Sequence, residues 1–219
     1  MSRDMLDHID FSAKCSTGKI KLGESLSKLM QESGINEEVA IMAKLDVMSP
    51  EKVFNKFGHN SSGLCFPYPS LRFNDYGKSF RIRFDRPKKD LNTGKEQRYS
   101  QPHASSTTIY FLLQDIEKIK NRSTPLIITE GEKKHLSLRS HLDEYAIISM
   151  PGCYGYMKDG EISDEYDLVP FENRDVYFVG DSDFRTNRNV FNGYIKLIKY
   201  IVSKGGKVHV VDLSVEVEK

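Results

Sequence analysis

The chain has 219 residues, 38% hydrophobic and 29% charged, with a formal net charge of +1. This is enough for one large or two small globular domains, and the near-neutral balance excludes a wholly basic nucleic-acid wrapper. No run approaches the roughly 18 apolar residues of a membrane span, and the first residues carry no apolar signal core, so the sequence predicts a cytoplasmic protein with no membrane partner. Cys15, Cys65 and Cys153 are odd in number and far apart, which points to reduced packing cysteines rather than a disulfide framework or a zinc site.

Residues 1–20 lack periodicity and are expected to form a loose arm. From Leu22 to about Met48 the pattern is helical, with Leu22, Leu26, Leu29 and Met30 on one face. Ser33-Gly34 interrupts it, and a second helix runs through Val39, Met42 and Ala43. Residues 1–62 are accordingly read as an N-terminal helical segment.

Residues 63–122 are read as a β-rich basic subdomain. Leu-Cys-Phe-Pro-Tyr-Pro (64–69), Ser-Phe-Arg-Ile-Arg-Phe (79–84) and Thr-Ile-Tyr-Phe-Leu-Leu (108–113) are strand-like, separated by turn-prone Asn-Asp-Tyr-Gly (74–77) and Asn-Thr-Gly-Lys (92–95). Nine Lys or Arg lie between Arg72 and Arg98 against four acids, with aromatic residues interleaved, and this excess marks a local basic surface. Alternation in 80–84 puts Arg81 and Arg83 on one face of a half-buried antiparallel strand, which is either a solvated surface or a contact surface for phosphate. A short charged helical connector follows over 114–121.

Beyond it, strand and helix alternate: strand 125–129, helix 133–141, strand 146–150, a polar insertion at 155–172, strand 175–179, helix 190–203 with Asn189 as its cap and Gly205-Gly206 as its stop, and strand 207–213. Such alternation predicts parallel βαβ units with right-handed crossovers, so the fold class is α/β, with residues 123–219 as the α/β domain.

Two of these strands end in acids: Leu-Ile-Ile-Thr-Glu-Gly-Glu-Lys-Lys (126–134) and Val-Tyr-Phe-Val-Gly-Asp-Ser-Asp (176–183). Glu130, Asp181 and Asp183 are thereby expected at the carboxyl ends of two strands, where open α/β sheets bind ligands. On an extended backbone Asp181 and Asp183 point to the same side. Carboxylates gathered there repel one another unless a divalent cation, Mg²⁺ or Mn²⁺, neutralises them, which points to phosphoryl chemistry. The bland readings are a helix-dipole acid for Glu130 and turn caps for the aspartates. Glu132 reads as a first-turn acid without chemical duty. Lys133, Lys134 and Arg185 are candidates for substrate phosphate or for solvated surface. Gly152, after the second strand, either lets the backbone approach a phosphate or forms a plain turn. The six histidines show no ligand spacing.

The C-terminal half resembles the TOPRIM domain, the metal-binding module of bacterial primases, topoisomerases and some nucleases. It is most similar to the TOPRIM-like domain of plasmid and phage replication proteins, often fused to a helicase. The matching residues are Ile-Thr-Glu-Gly-Glu-Lys-Lys (128–134), Met-Pro-Gly-Cys-Tyr-Gly (150–155) and Gly-Asp-Ser-Asp with Thr-Asn-Arg-Asn-Val (180–190). Upstream, Glu-Ser-Gly-Ile-Asn (32–36), Phe-Arg-Ile-Arg-Phe-Asp-Arg-Pro (80–87) and Gly-Lys-Glu-Gln-Arg-Tyr (94–99) resemble the segment that precedes the TOPRIM core. The resemblance implies a Rossmann-like TOPRIM domain with a parallel sheet, preceded by a smaller helical and antiparallel β-rich domain. It also implies that Glu130, Asp181 and Asp183 are the catalytic and metal-binding residues of a Mg²⁺-dependent, primase-type nucleotidyltransferase acting in DNA replication of a mobile element. Its partners would be single-stranded DNA, nucleotide triphosphates and a separate replicative helicase. A TOPRIM nuclease and a non-catalytic nucleic-acid-binding adaptor remain as alternatives. The sequence departs from topoisomerase-type members at Arg185, which stands where they have a third aspartate. It contains no helicase motif or P-loop and reads as a fragment or a pared-down relative.

Overall fold

The computed structural model describes residues 24–90, 93–103, 105 and 107–211. The arm expected over 1–20 lies outside them, as does Leu22.

The N-terminal part opens with α1 (Glu24–Ser33) and α2 (Glu37–Met42), broken by Gly34 at φ +61°. Asn36 caps α2 by accepting from the Val39 N–H at 2.8 Å. Leu26 and Leu29 are buried as their spacing requires. Helical pattern does not reach Met48, however. Residues Asp46–Met48 form a short strand, β1, followed by α3 (Pro50–Phe57), which the sequence reading lacked. Its signals are local and complete: Ser49 as N-cap, Pro50 at the first helical position and Gly58 in the left-handed region at the end.

The strands β2 (Gly63–Ser70), β3 (Asp75–Lys89) and β4 (Glu96–Ser100) join β1 in an antiparallel sheet of order β1-β2-β3-β4. Along β3, Phe80, Ile82 and Phe84 are buried and Arg81 and Arg83 turn to the other face, as the alternation predicts. The sequence had instead placed a third strand at 108–113. That segment forms only an isolated bridge, Tyr110 to Ser149, with backbone hydrogen bonds of 2.7 and 2.8 Å. Its period of two is real but serves packing. Ile109 and Phe111 enter one apolar cluster and Tyr110 and Leu112 the other, so the segment stitches two cores together.

After α4 (Ile116–Lys120), the second sheet is built from β5 (Leu126–Glu130), β6 (Ala146–Met150), β9 (Asp175–Val179) and β10 (Lys207–Val210). Its order is β10-β9-β5-β6 and every pairing is parallel. The runs Leu126–Ile128 and Ala146–Ile148 are buried because helices cover both faces. Helix α5 (Glu132–Arg139) sends Leu136 into the cluster shared with α1 and β2, whereas α6 (Arg188–Ser203) sends Tyr194, Leu197 and Ile201 into the opposite one. Asn187, rather than Asn189, caps α6, accepting from the Asn189 and Val190 N–H groups. The stretch 155–172 is more than a polar insertion. It contains a hairpin, β7 (Met157–Lys158) with β8 (Glu161–Ile162), and buries Tyr156, Tyr166, Val169 and Phe171. Arg174 is fully buried without a carboxylate. Its guanidinium donates to the carbonyls of Lys118, Ile119, Pro170 and Thr124, fastening the end of α4 to the sheet, and burial lowers its pKa to about 10. No helix among the described residues is long and apolar enough to cross a membrane.

Chain order runs from β5 outward to β6 and then returns to β9 on the opposite side of β5. The crevice between the carboxyl ends of β5 and β9 is therefore the topological switch point, the place where doubly wound sheets hold ligands.

Candidate active site

Glu130 is the last residue of β5 and Asp181 follows Gly180 at the end of β9, so both acids open onto the switch-point crevice. Gly131 takes φ +83°, turning the chain from β5 into α5, and its N–H donates to the Met150 carbonyl at 2.8 Å. The acids are joined through one side chain. The Tyr194 hydroxyl donates to Glu130 Oε2 and accepts from the Asp181 N–H at 3.0 Å. Tyr194 reaches this point from the buried face of α6, stacked edge-on against Phe178 with ring centroids 5.0 Å apart. Gly180 is obligatory for that approach, since a Cβ there would lie 2.3 Å from the Tyr194 ring.

Asp183 does not continue the strand. Residues Ser182–Arg185 form a 3₁₀ turn, so the period-two argument that aimed Asp181 and Asp183 the same way does not apply. The Asp183 side chain lies outside the described part of the structure. Arg185, at the end of that turn, is exposed and outside the walls of the crevice.

The crevice widens into a cleft of about 520 Å³. Glu130, Gly131 and Asp181 form its floor, Lys133, Lys134 and Ser137 of α5 one side, Pro151 and Gly152 another, and Arg81 and Tyr99 of the antiparallel sheet its far wall. Gly152 takes φ +141°, and a Cβ added there would meet no heavy atom within 4 Å, so its backbone is open to the cleft. Lys134 forms an ion pair with Asp181, both side chains 41% exposed. Lys133 stands near Arg83 and Arg98. Burial first, and then the Arg83 charge, lower its pKa, and Arg98 adds to the effect while Glu32 opposes it. That crowding of cations makes this rim a place where an anion gains energy.

Arg81 has a different position from either reading of its strand face. Its side chain is 13% exposed and its Nη1 donates to Glu132 Oε1 at 2.8 Å, while the guanidinium lies over the Tyr99 ring at 4.9 Å. Glu132, read from sequence as an idle first-turn acid, is 1% exposed. The same Oε1 also accepts from the Tyr68 hydroxyl at 2.6 Å. Burial pushes the Tyr68 phenol well above its usual range, and the Glu132 charge adds to that. This triad binds the antiparallel sheet to the start of α5 and so fixes the far wall of the cleft relative to Glu130. His135, one helical turn on, is buried edge-on against Tyr110, and burial lowers its pKa to about 3; it is a packing histidine, as the lack of ligand spacing suggested.

Glu130 and Asp181 offer hard oxygen donors, and Mg²⁺ is held by one or two carboxylates with water and substrate phosphate completing its shell, so these residues fit such an ion. Among the described residues no group of three His, Cys, Asp or Glu stands close enough to make a self-sufficient metal cage. The lysine on Asp181 takes the role of counter-ion.

Sequence reasoning missed Tyr194 and the Glu132–Arg81–Tyr68 triad. A signal existed for Tyr194: it shares the buried stripe of α6 with Gly193, Leu197 and Ile201, and a tyrosine in such a stripe needs a partner for its hydroxyl. Nothing local foretold the triad, whose members lie 64 and 51 residues from Glu132 along the chain.

Fold and crevice together define an α/β protein with acids at the switch point of its parallel sheet and a basic rim. Comparison with known proteins agrees on the fold. A family model, the domain of unknown function DUF3854, matches residues 117–219. No curated protein matches the chain. Among solved structures, the DnaG primase catalytic domain bound to ssDNA superposes with a TM-score of 0.56 at 13% identity, covering 90% of this chain and 68% of that one. The DnaG catalytic core gives a TM-score of 0.57 at 13% identity, covering 89% and 67%. The chain thus has the fold of a primase catalytic core, including the antiparallel part that precedes the parallel sheet.

Proposed function

We propose that the chain is a primase-type nucleotidyltransferase, joining nucleotides on a single-stranded DNA template during replication of a plasmid or phage. The observation that carries this reading is the convergence of Glu130 and Asp181 on one switch-point cleft lined by Lys133, Lys134 and Arg81. The likeness in fold to a DnaG domain bound to ssDNA supports it.

In the reaction the 3′-hydroxyl oxygen of one nucleotide bonds to the α-phosphorus of a second. The bond from that phosphorus to the β-phosphate bridging oxygen breaks, pyrophosphate leaves, and the hydroxyl proton passes to Glu130. Tyr194 holds Glu130 by Oε2, which leaves Oε1 to receive the proton. Asp181, with Asp183, would hold Mg²⁺ or Mn²⁺. The ion, when bound, supplies charge neutralisation on the phosphates and alignment of the attacking and leaving oxygens. Lys134 then leaves Asp181 for a substrate phosphate, joining Lys133 and Arg83 on the basic rim. A separate replicative helicase would deliver the template strand. Asp181→Asn is expected to abolish template-dependent, Mg²⁺-dependent primer synthesis. Unchanged synthesis by that variant refutes the assignment.

One observation supports a second reading, a non-catalytic nucleic-acid-binding adaptor: the lysine already paired with Asp181. The readings part on divalent-ion binding. The adaptor keeps Lys134 on Asp181 at millimolar Mn²⁺, whereas the enzyme gives it up.

A further inference from the structure

The segment from Pro151 to Ser163 follows β6, and its Pro151 and Gly152 line the cleft. It is fastened to α6 at three points. The Tyr154 hydroxyl donates to the Asn189 carbonyl at 3.1 Å, the Tyr156 hydroxyl to the Gly193 carbonyl at 2.9 Å, and the Lys196 ammonium to the Gly160 carbonyl at 3.0 Å. Residues 189, 193 and 196 lie on one stripe of the helix, since positions three and four apart share a face. Gly193 is required at the centre of this stripe, because a Cβ there would stand 2.5 Å from the Cys153 carbonyl oxygen. A carbonyl oxygen has two lone pairs, so each tyrosine can bond one that also serves the helix.

This docking matters most at the start of α6. Arg188, Asn189, Phe191 and Asn192 are exposed, and Gly193 and Tyr194 are the first buried residues of the helix. Apolar packing therefore holds the helix from Tyr194 onward and gives little grip on the turn before it. Tyr156 is buried edge-on against Tyr166, with ring centroids 6.3 Å apart, and its hydroxyl meets the helix one residue before Tyr194. The Tyr194 oxygen has to meet Glu130 Oε2 and the Asp181 N–H together. Hydrogen bonds weaken steeply outside a narrow range of distance and angle, so a small slide of the helix along its axis would lose one or both.

We infer that Tyr156 is a positioning residue: by clamping the Gly193 carbonyl it sets the height of Tyr194, and through Tyr194 the orientation of the Glu130 carboxylate and of the Asp181 backbone. The inference deepens the nucleotidyltransferase reading and rests on it for its catalytic meaning. That reading gives Glu130 Oε1 the proton of the attacking hydroxyl, a role that tolerates little rotation of the carboxylate. Tyr154 is the outer rung of the same clamp. It is 36% exposed, and its bond to the Asn189 carbonyl meets competition from water.

The test compares amide hydrogen exchange by NMR and Mn²⁺ binding by calorimetry in the full native chain, Tyr156→Phe, Tyr194→Phe and the double variant. The Asp181 N–H reports the Tyr194 hydroxyl directly, and the Gly131 N–H, bonded to the Met150 carbonyl, is the control. Loss of one hydrogen bond of ordinary strength corresponds to about fivefold, so Tyr156→Phe is expected to speed Asp181 exchange and to weaken Mn²⁺ binding by that factor, with Gly131 unchanged. In the Tyr194→Phe background the same substitution is expected to add nothing, because its effect passes through the missing hydroxyl. Should Tyr156→Phe fail to fold, Tyr154→Phe carries the same comparison at about twofold. An Asp181 amide exchanging at the native rate overturns the inference. So does equal acceleration at Asp181 and Gly131, or an undiminished effect in the Tyr194→Phe background, either of which makes the tyrosine a general stabiliser. Failure of the native chain to bind Mn²⁺, with the exchange pattern as expected, defeats the enzymatic reading and leaves the clamp standing.

Discussion

Replacing Glu132 by alanine tests whether the triad beneath the cleft is structural. The native carboxylate is 1% exposed and takes hydrogen bonds of 2.8 Å from Arg81 and 2.6 Å from Tyr68 on one oxygen. Its removal strands a guanidinium that is 13% exposed and leaves a fully buried phenol without its acceptor. Breaking one side of a buried ion pair costs about 3–5 kcal/mol, because the remaining charge stays desolvated. An unsatisfied buried hydroxyl costs about 1–3 kcal/mol more, part of which relaxation recovers. We therefore expect about 4 kcal/mol of lost stability in urea denaturation, and partial recovery when Arg81→Met is added. Water reaching Arg81 from the cleft is the one route to a smaller effect. A loss under 1 kcal/mol in Glu132→Ala, together with additive behaviour of the double variant, refutes the argument that this pair holds the two sheets together.

Two further predictions concern Tyr194 and His135. Tyr194→Phe keeps the ring packed against Phe178 while removing the hydroxyl that joins Glu130 to the Asp181 N–H. A loss of about 1 kcal/mol in positioning corresponds to roughly fivefold weaker Mn²⁺ binding by calorimetry, with the melting temperature moved by only a few degrees. His135 has its pKa lowered by burial from 6.5 to about 3, so between those pH values the unfolded chain binds a proton that the folded chain does not. Stability consequently falls as the pH drops through that window, by up to about 1.4 kcal/mol per pH unit from this group. His135→Leu is expected to flatten the urea midpoint against pH between 6 and 4, and an unchanged slope contradicts the assignment.

The parallel half of the fold was legible because its signals are local. Runs such as Leu126–Ile128 are apolar throughout only when both faces are covered, and their alternation with amphipathic helices implies βαβ units. Glu130 and Asp181 were legible for the same reason, since Glu130 closes one such strand and Asp181 stands one glycine beyond another. The misreadings arose where pattern and pairing separate. Residues 108–113 alternate like a strand because they face two cores, and no local feature reveals that a neighbouring strand is missing. Asp46–Met48 is too short for periodicity to distinguish a strand from a helix end. Asp183 was assigned an extended backbone that a 3₁₀ turn replaces. Contacts made across the fold leave no trace in local sequence: Arg81 with Glu132 depends on how the two sheets dock, and Lys134 with Asp181 on how α5 lies beside the end of β9.

The central claim is that Asp181 holds a divalent ion at the switch point beside Glu130, and crystals soaked in Mn²⁺ test it most directly. The account predicts an anomalous peak about 2.1 Å from an Asp181 carboxylate oxygen, facing Glu130, with Lys134 withdrawn from Asp181. A map from Mn²⁺-saturated crystals with no peak in the cleft and Lys134 still paired to Asp181 contradicts it.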